Sequence, residues 1–255
     1  MRDNKQTSAA DSAPRTMDSE AEVTVFYWPI RFRGNFLKYL LEEAGKEYKT
    51  VSDYNEIRQA LNDNKTSYPV FAVPMPQIGK FRMSQMPACV LHLAKMLNLE
   101  PIDSKNKSLA LMMLLNCNDI LDSITMNGGH YKMWEAESWK KFMDVRLHKW
   151  MSVLNAALEQ NAPFSEDGIF FFEKKVCYVD FAVLAILDGI VDEFGLGEYI
   201  GQFKLLAKHF KQMSARSSVQ KLWAVQKPND KSKWWKWCGG QIQLSIEKSI
   251  KLCQK

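Results

Sequence analysis

The chain of 255 residues has no apolar run near the ~20 residues a membrane span needs, no CxxC pair, no internal repeat and no low-complexity tract. Its five cysteines (Cys89, Cys117, Cys177, Cys238 and Cys253) are odd in number and far apart, which suits a reducing compartment and argues against a disulfide framework or a zinc site. Its histidines (His92, His130, His148 and His209) show no metal-ligand spacing, so no metal is expected. Residues 1–21 lack the apolar segment of a secretory signal and carry the acidic residues that organellar transit peptides avoid. A disordered tail and a cytoplasmic location are the expectation. Hydrophobic residues at 46% and charged residues at 25% are ordinary for a globular protein with a sizeable core. The net charge of +5 is confined to residues 227–255, where seven lysines face only Asp230 and Glu247; the remainder sums to zero, and no nucleic-acid partner is expected.

What is present is a change of period. Val23–Tyr27 reads as a strand, and Phe36, Leu37, Leu40, Leu41 and Ala44 then recur at helical spacing, with Gly45 where a left-handed C-terminal cap belongs. "EYKTVS" is a second strand, followed by a weak helix over 56–62. "YPVFAVPMPQIGKFRMSQMPACVLHLAKMLNL" reads as strand, turn at Ile78-Gly79-Lys80, strand, and a helix from about Pro87 to Leu97, with proline in the first turn. The order β-α-β-α-β-β-α is that of a thioredoxin-like domain. Beyond a linker at "EPIDSKNKS" the period stays helical: Leu109–Thr125, then Trp139–Gln160 with Trp139, Phe142, Met143, Leu147, Trp150, Leu154 and Leu158 on one stripe, then the nearly all-apolar "VCYVDFAVLAILDGIVDEFG". The expected fold is two-domain, α+β/α, with a thioredoxin-like domain at 22–99, an all-α helical bundle at 107–227, and a basic, Trp-rich extension at 228–255.

Three segments in this order resemble the glutathione transferase superfamily, over about residues 22–226. "YWPIRFR" from Tyr27 resembles the "YFPxRGR" start of the tyrosine-type classes; Val73-Pro74 followed by "SQMPACVLHLA" resembles the cis-proline turn and the head of the third helix; "CYVDFAVLAILDG" is similar to a helix start of the second domain. The resemblance implies glutathione as co-substrate, a small hydrophobic electrophile, a homodimer, and a role in detoxification.

The chemistry implied is thiolate formation. An ordinary thiol titrates near ~8.5, and a phenol hydroxyl at the sulfur favours the anion by a charge-assisted hydrogen bond. By resemblance Tyr27 is that catalytic donor; a core tyrosine of an aromatic strand is the alternative, ranked behind it. Arg33 would face the glutathione carboxylates, while Arg31 and Arg33 read alone are a solvated helix start. Val73, ahead of Pro74, is biased to extended geometry and would pair its backbone with the cysteinyl part. Gln85 matches the residue that holds the γ-glutamyl group. Met86 stands where the family has Ser or Thr, which removes a hydroxyl bond to a carboxylate, on the order of 1.5–3 kcal/mol. Asp119 resembles an acid that in some classes reaches the glutathione of the other subunit. The electrophile pocket would be lined by Trp28, His130, Tyr131 and Trp134, the last also readable as core packing. Reductase or peroxidase chemistry calls for Cys or Ser at the end of the first strand, and neither is there. The tail's tryptophans and lysines are expected to pack on the body or a partner subunit, with contact to a membrane surface ranked behind. A non-catalytic interaction, carrier or structural protein of the same fold is the alternative, supported by Met86.

Overall fold

The structure, a computed structural model, describes residues 21–63, 68–124, 140–161, 168–189 and 197–226. Both terminal tails and the segment holding His130, Tyr131 and Trp134 lie outside the described residues.

The first strand, β1 (Val23–Phe26), buries Val23 and Val25 and half-exposes Thr24 and Phe26, the alternation of a pleated strand with one face on the core. It pairs parallel to β2 (Tyr48–Val51) and antiparallel to β3 (Met75–Ile78), which turns through Gly79 into β4 (Phe81–Arg82); the sheet order is β2-β1-β3-β4. Helix α1 (Arg33–Glu43) provides the parallel crossover and stops where Gly45 takes φ +63°. Helix α2 (Tyr54–Asn62) is capped by the Asp53 carboxylate, which accepts from the N–H groups of Asn55 and Glu56 at 2.9 and 3.0 Å. Helix α3 (Met86–Met96) closes the domain, and its leading Pro87 lies in the first turn as expected.

The helical domain follows as α4 (Ser104–Ile124), α5 (His148–Gln160), α6 (Tyr178–Asp188), α7 (Gly197–Gly201), α8 (Lys204–Ser214) and α9 (Ser217–Val225). Two expectations need correction. Helix α4 begins at Ser104 rather than Leu109, so part of the expected linker is helical. The helix expected over 139–160 is not uniform: Phe142–Leu147 form a π-helical stretch before α5, and the Tyr199 hydroxyl donates to the Met143 carbonyl there at 3.0 Å. Beyond this wide turn Met151 is fully buried on α5, whereas Trp150 is only half-buried. Every residue of α6 is buried, which explains its lack of a polar face.

The two domains share one hydrophobic cluster running from β1 and α1 through α4 and α6 to α9. Polar contacts fix α1 within it. Arg31 pairs with Asp188 at the end of α6; the Tyr39 hydroxyl donates to the same carboxylate at 2.8 Å and accepts from Trp223 Nε1 at 2.8 Å. Arg31 also lies over the Trp223 ring, 5.1 Å from its centroid. Burial, and then the Asp188 charge, push the Tyr39 phenol well up. Arg216 and Ser218 hold Glu43, and Asn35 and Gln226 exchange amide hydrogen bonds at 3.2 and 2.9 Å. The solvated helix start considered for Arg31 is therefore not what forms.

Lys38, also on α1, is buried, and desolvation lowers its ammonium pKa from 10.5 to about 8. Below about pH 8 the native state holds a buried cation at full cost; between that value and 10.5 the unfolded chain binds more protons, so this group's contribution to stability rises with pH. Lys38→Met is expected to raise stability by roughly 2 kcal/mol near pH 7. The gain shrinks as pH climbs through 8 toward 10.5, which urea unfolding of both proteins across that range would measure.

Candidate functional site

The turn between Phe71 and Met75, the start of α3 and one face of α4 enclose a cavity of about 480 Å³. Its lining is Arg33, Phe71, Ala72, Val73, Pro74, Ser84, Gln85, Met86, Asn118 and Asp122. Residues far apart in sequence meet here because β3 runs antiparallel to β1, while α3 returns beside α1. The Val73–Pro74 peptide is cis.

Each side of the cavity offers a different group. At the head of α3, Gln85 sits at φ +71°, a left-handed conformation that costs a non-glycine residue on the order of 1–3 kcal/mol. Met86 is buried in the core at 2% exposure, and both it and Ser84 border the cavity. Helix starts carry unsatisfied N–H groups and a positive dipole end, which suit a carboxylate. Across the cavity Arg33 pairs with Asp122 of α4, whose other oxygen accepts from Asn118 Nδ2 at 3.3 Å, and the guanidinium also lies 5.0 Å from the Phe32 ring centroid. Arg33, like Arg31, is thus an ion-paired residue and not a solvated helix start.

Tyr27 follows β1 and stays in the sheet, its N–H donating to the Val51 carbonyl at 3.0 Å. It follows directly on Phe26, whose partner on β3 is Met75, the residue after Pro74. It is 3% exposed and does not itself line the cavity. Its ring presses on Gly34: a Cβ there would fall 2.3 Å from Tyr27 Cδ1 and 2.5 Å from Cγ. Gly34→Ala is therefore expected to displace the Tyr27 ring and cost about 1–3 kcal/mol as overpacking, read as a lower urea midpoint.

Trp28 is half-buried and stacks on Tyr54 at the start of α2, with centroids 6.0 Å apart and planes at 21°. It does not line the cavity, and His130, Tyr131 and Trp134 lie outside the described residues. Asp119, which the resemblance directs toward the glutathione of another subunit, is exposed and does not line this cavity; Asn118 and Asp122 on the same helix do. These two were missed in the sequence, because α4 carries several other polar residues and nothing local sets this i, i+4 pair apart. Cys89 touches the Pro74 carbonyl (Sγ–O 3.9 Å), but burial pushes its thiol up to about 12, as it does for Cys117. Neither thiol is a nucleophile near neutral pH. Among the described residues no cluster of ligands suits a metal ion, and no helix is long and apolar enough to cross a membrane.

Residues 109–249, more than half of the chain, match the family described as "Glutathione S-transferase, C-terminal domain". The chain belongs to the glutathione S-transferase family. A Dictyostelium discoideum protein bearing the name glutathione S-transferase alpha-5 is 25% identical over 190 residues, 73% of this chain and 89% of that protein. Among solved structures, a Caenorhabditis elegans glutathione S-transferase superposes with a TM-score of 0.66 at 17% identity, covering 81% of this chain and 99% of that one. A Nu-class GST from Haemonchus contortus gives 0.64 at 14% identity, over 82% and 98%. At such identities the two structures establish the shared fold, a thioredoxin-like domain followed by a helical one, and nothing finer about this glutathione S-transferase family member.

Proposed function

We propose that the protein is a glutathione transferase that binds glutathione in the cavity between Arg33, the Val73–Pro74 turn and the start of α3, and adds its thiolate to a small hydrophobic electrophile. The observation that carries this reading is convergence: Arg33, Val73, Pro74, Gln85 and Met86, singled out for glutathione from separate sequence segments, line one cavity in a chain of this family. In the assignment, the backbone of Val73 pairs with the cysteinyl part as an added strand, Gln85 and the first turn of α3 hold the γ-glutamyl carboxylate, and Arg33 meets the other carboxylate. Tyr27, at the end of β1, donates its hydroxyl to the sulfur. Glutathione is the co-substrate and no metal takes part.

A homodimer belongs to the proposal. Leu111, Met112 and Leu115 are exposed on α4, and Phe71, 90% exposed, stands at the cavity rim. A second copy covering this apolar face would bring its surface next to the glutathione site. The protein is assigned to the cytoplasm.

The second reading is a non-catalytic carrier or interaction protein. It is favoured by the near-complete burial of Tyr27 and by the missing hydroxyl at Met86. Isothermal titration with glutathione, an assay with a generic aryl halide, and equilibrium sedimentation separate the two. Binding in the millimolar range or tighter, turnover, and a dimer mass are the expected results. Binding without turnover would leave the carrier reading, and no binding at millimolar glutathione would remove both the enzyme and its site.

A further inference from the structure

The cavity's cation is already engaged. Arg33, with its side chain 19% exposed, is paired to Asp122, and Asn118, one turn earlier on α4, holds the second oxygen of that carboxylate at 3.3 Å. All three line the cavity, so the ion pair borders the volume a ligand would fill. A carboxylate ligand that uses Arg33 must therefore either displace Asp122 or share the guanidinium with it at the cost of like-charge repulsion. Asp122 is 45% exposed and can turn to solvent without desolvation, whereas Arg33 is held between the Phe32 ring and α4. The easier motion is that of the acid.

We propose that Asp122 is a built-in counter-ion that competes with the ligand's carboxylate for Arg33, and that this contact sets the affinity of the cavity for anionic ligands. The inference rests on the glutathione reading for the identity of the ligand, but the masking of Arg33 stands apart from it. Asn118 acts as a positioning residue, keeping the Asp122 carboxylate turned toward Arg33.

The test uses the full chain, its Asp122→Asn variant, which keeps the shape and removes the charge, and Asp122→Glu, which keeps the charge. Two readouts are taken: the rate at which phenylglyoxal modifies Arg33, followed by peptide mass spectrometry, and the glutathione Kd by titration calorimetry. Asp122→Asn is expected to speed modification of Arg33 several-fold and to tighten glutathione about two- to fivefold, the range that an exposed ion pair is worth. Asp122→Glu is expected to stay near the parent protein. An unchanged modification rate in Asp122→Asn would overturn the counter-ion. Equal glutathione affinity in the parent and Asp122→Asn would overturn it as well while leaving the glutathione site in place. Faster modification with no glutathione binding by any of the proteins would uphold the masking of Arg33 and remove glutathione as its ligand.

Discussion

Tyr27→Phe is expected to lower the rate of glutathione conjugation by about ten- to a hundredfold at neutral pH with little change in KM. At pH 7 an ordinary cysteine thiol, with a pKa of ~8.5, is only a few per cent thiolate. A hydroxyl donating to the sulfur is a hydrogen bond to a charged group, worth ~1.5–3 kcal/mol, and that difference moves the thiolate fraction and the transition-state charge together. Phenylalanine keeps the ring that fills the space over Gly34, so the sheet end and α1 keep their packing. The pH profile then distinguishes chemistry from structure. Where the hydroxyl stabilises thiolate, the variant's deficit shrinks as pH rises past the pKa of free thiols, because the sulfur ionises without help. A rate within twofold of the parent at neutral pH, with the same pH profile, would make Tyr27 a packing residue, and some other donor would then have to be found at the cavity.

How far the sequence reached follows from the distance over which each signal acts. Gly45 at the end of α1, Pro87 in the first turn of α3 and the alternation of Val23 and Val25 are local devices, and a local device leaves a readable mark. The order of elements in the first domain was legible for the same reason. The π-helical stretch at Phe142–Leu147 was not, since its apolar spacing differs from that of an α-helix by less than one residue per turn. The ion pairs of Arg31 with Asp188 and Arg33 with Asp122 join residues 157 and 89 positions apart, and no pattern within either segment announces them. In the candidate site, the residues carried by a backbone turn or a helix start (Val73, Pro74, Gln85 and Met86) were named in advance. Asn118 and Asp122 enter only because α4 packs across the turn, which is a tertiary fact. Asp119, which the resemblance directs toward the glutathione of another subunit, is exposed one position along α4 from Asn118.

The other large effect lies away from the cavity, at Asp180. Its carboxylate is fully buried and accepts three hydrogen bonds: from the Cys177 N–H at 2.8 Å, from the Phe171 N–H at 3.1 Å and from His209 Nε2 at 3.0 Å. A carboxylate only accepts, so Nε2 carries the proton in the contact with His209. The first bond closes the capping box of α6, the second ties the preceding 168–177 segment to that helix, and the third reaches α8. Asp180→Ala removes all three at once and leaves two backbone N–H groups and an imidazole nitrogen in a dry interior, each missing an acceptor. The expected loss is about 3–5 kcal/mol, hence a fall in Tm of roughly 10 °C or more for a chain of this size. Asp180→Asn keeps the volume and one acceptor oxygen, and is expected to cost about half as much. Guanidinium unfolding of the three proteins would give both numbers. A loss below about 1 kcal/mol for Asp180→Ala would mean that α6 is held by its apolar packing alone, and that the capping box marks where the helix starts without stabilising the junction it sits in.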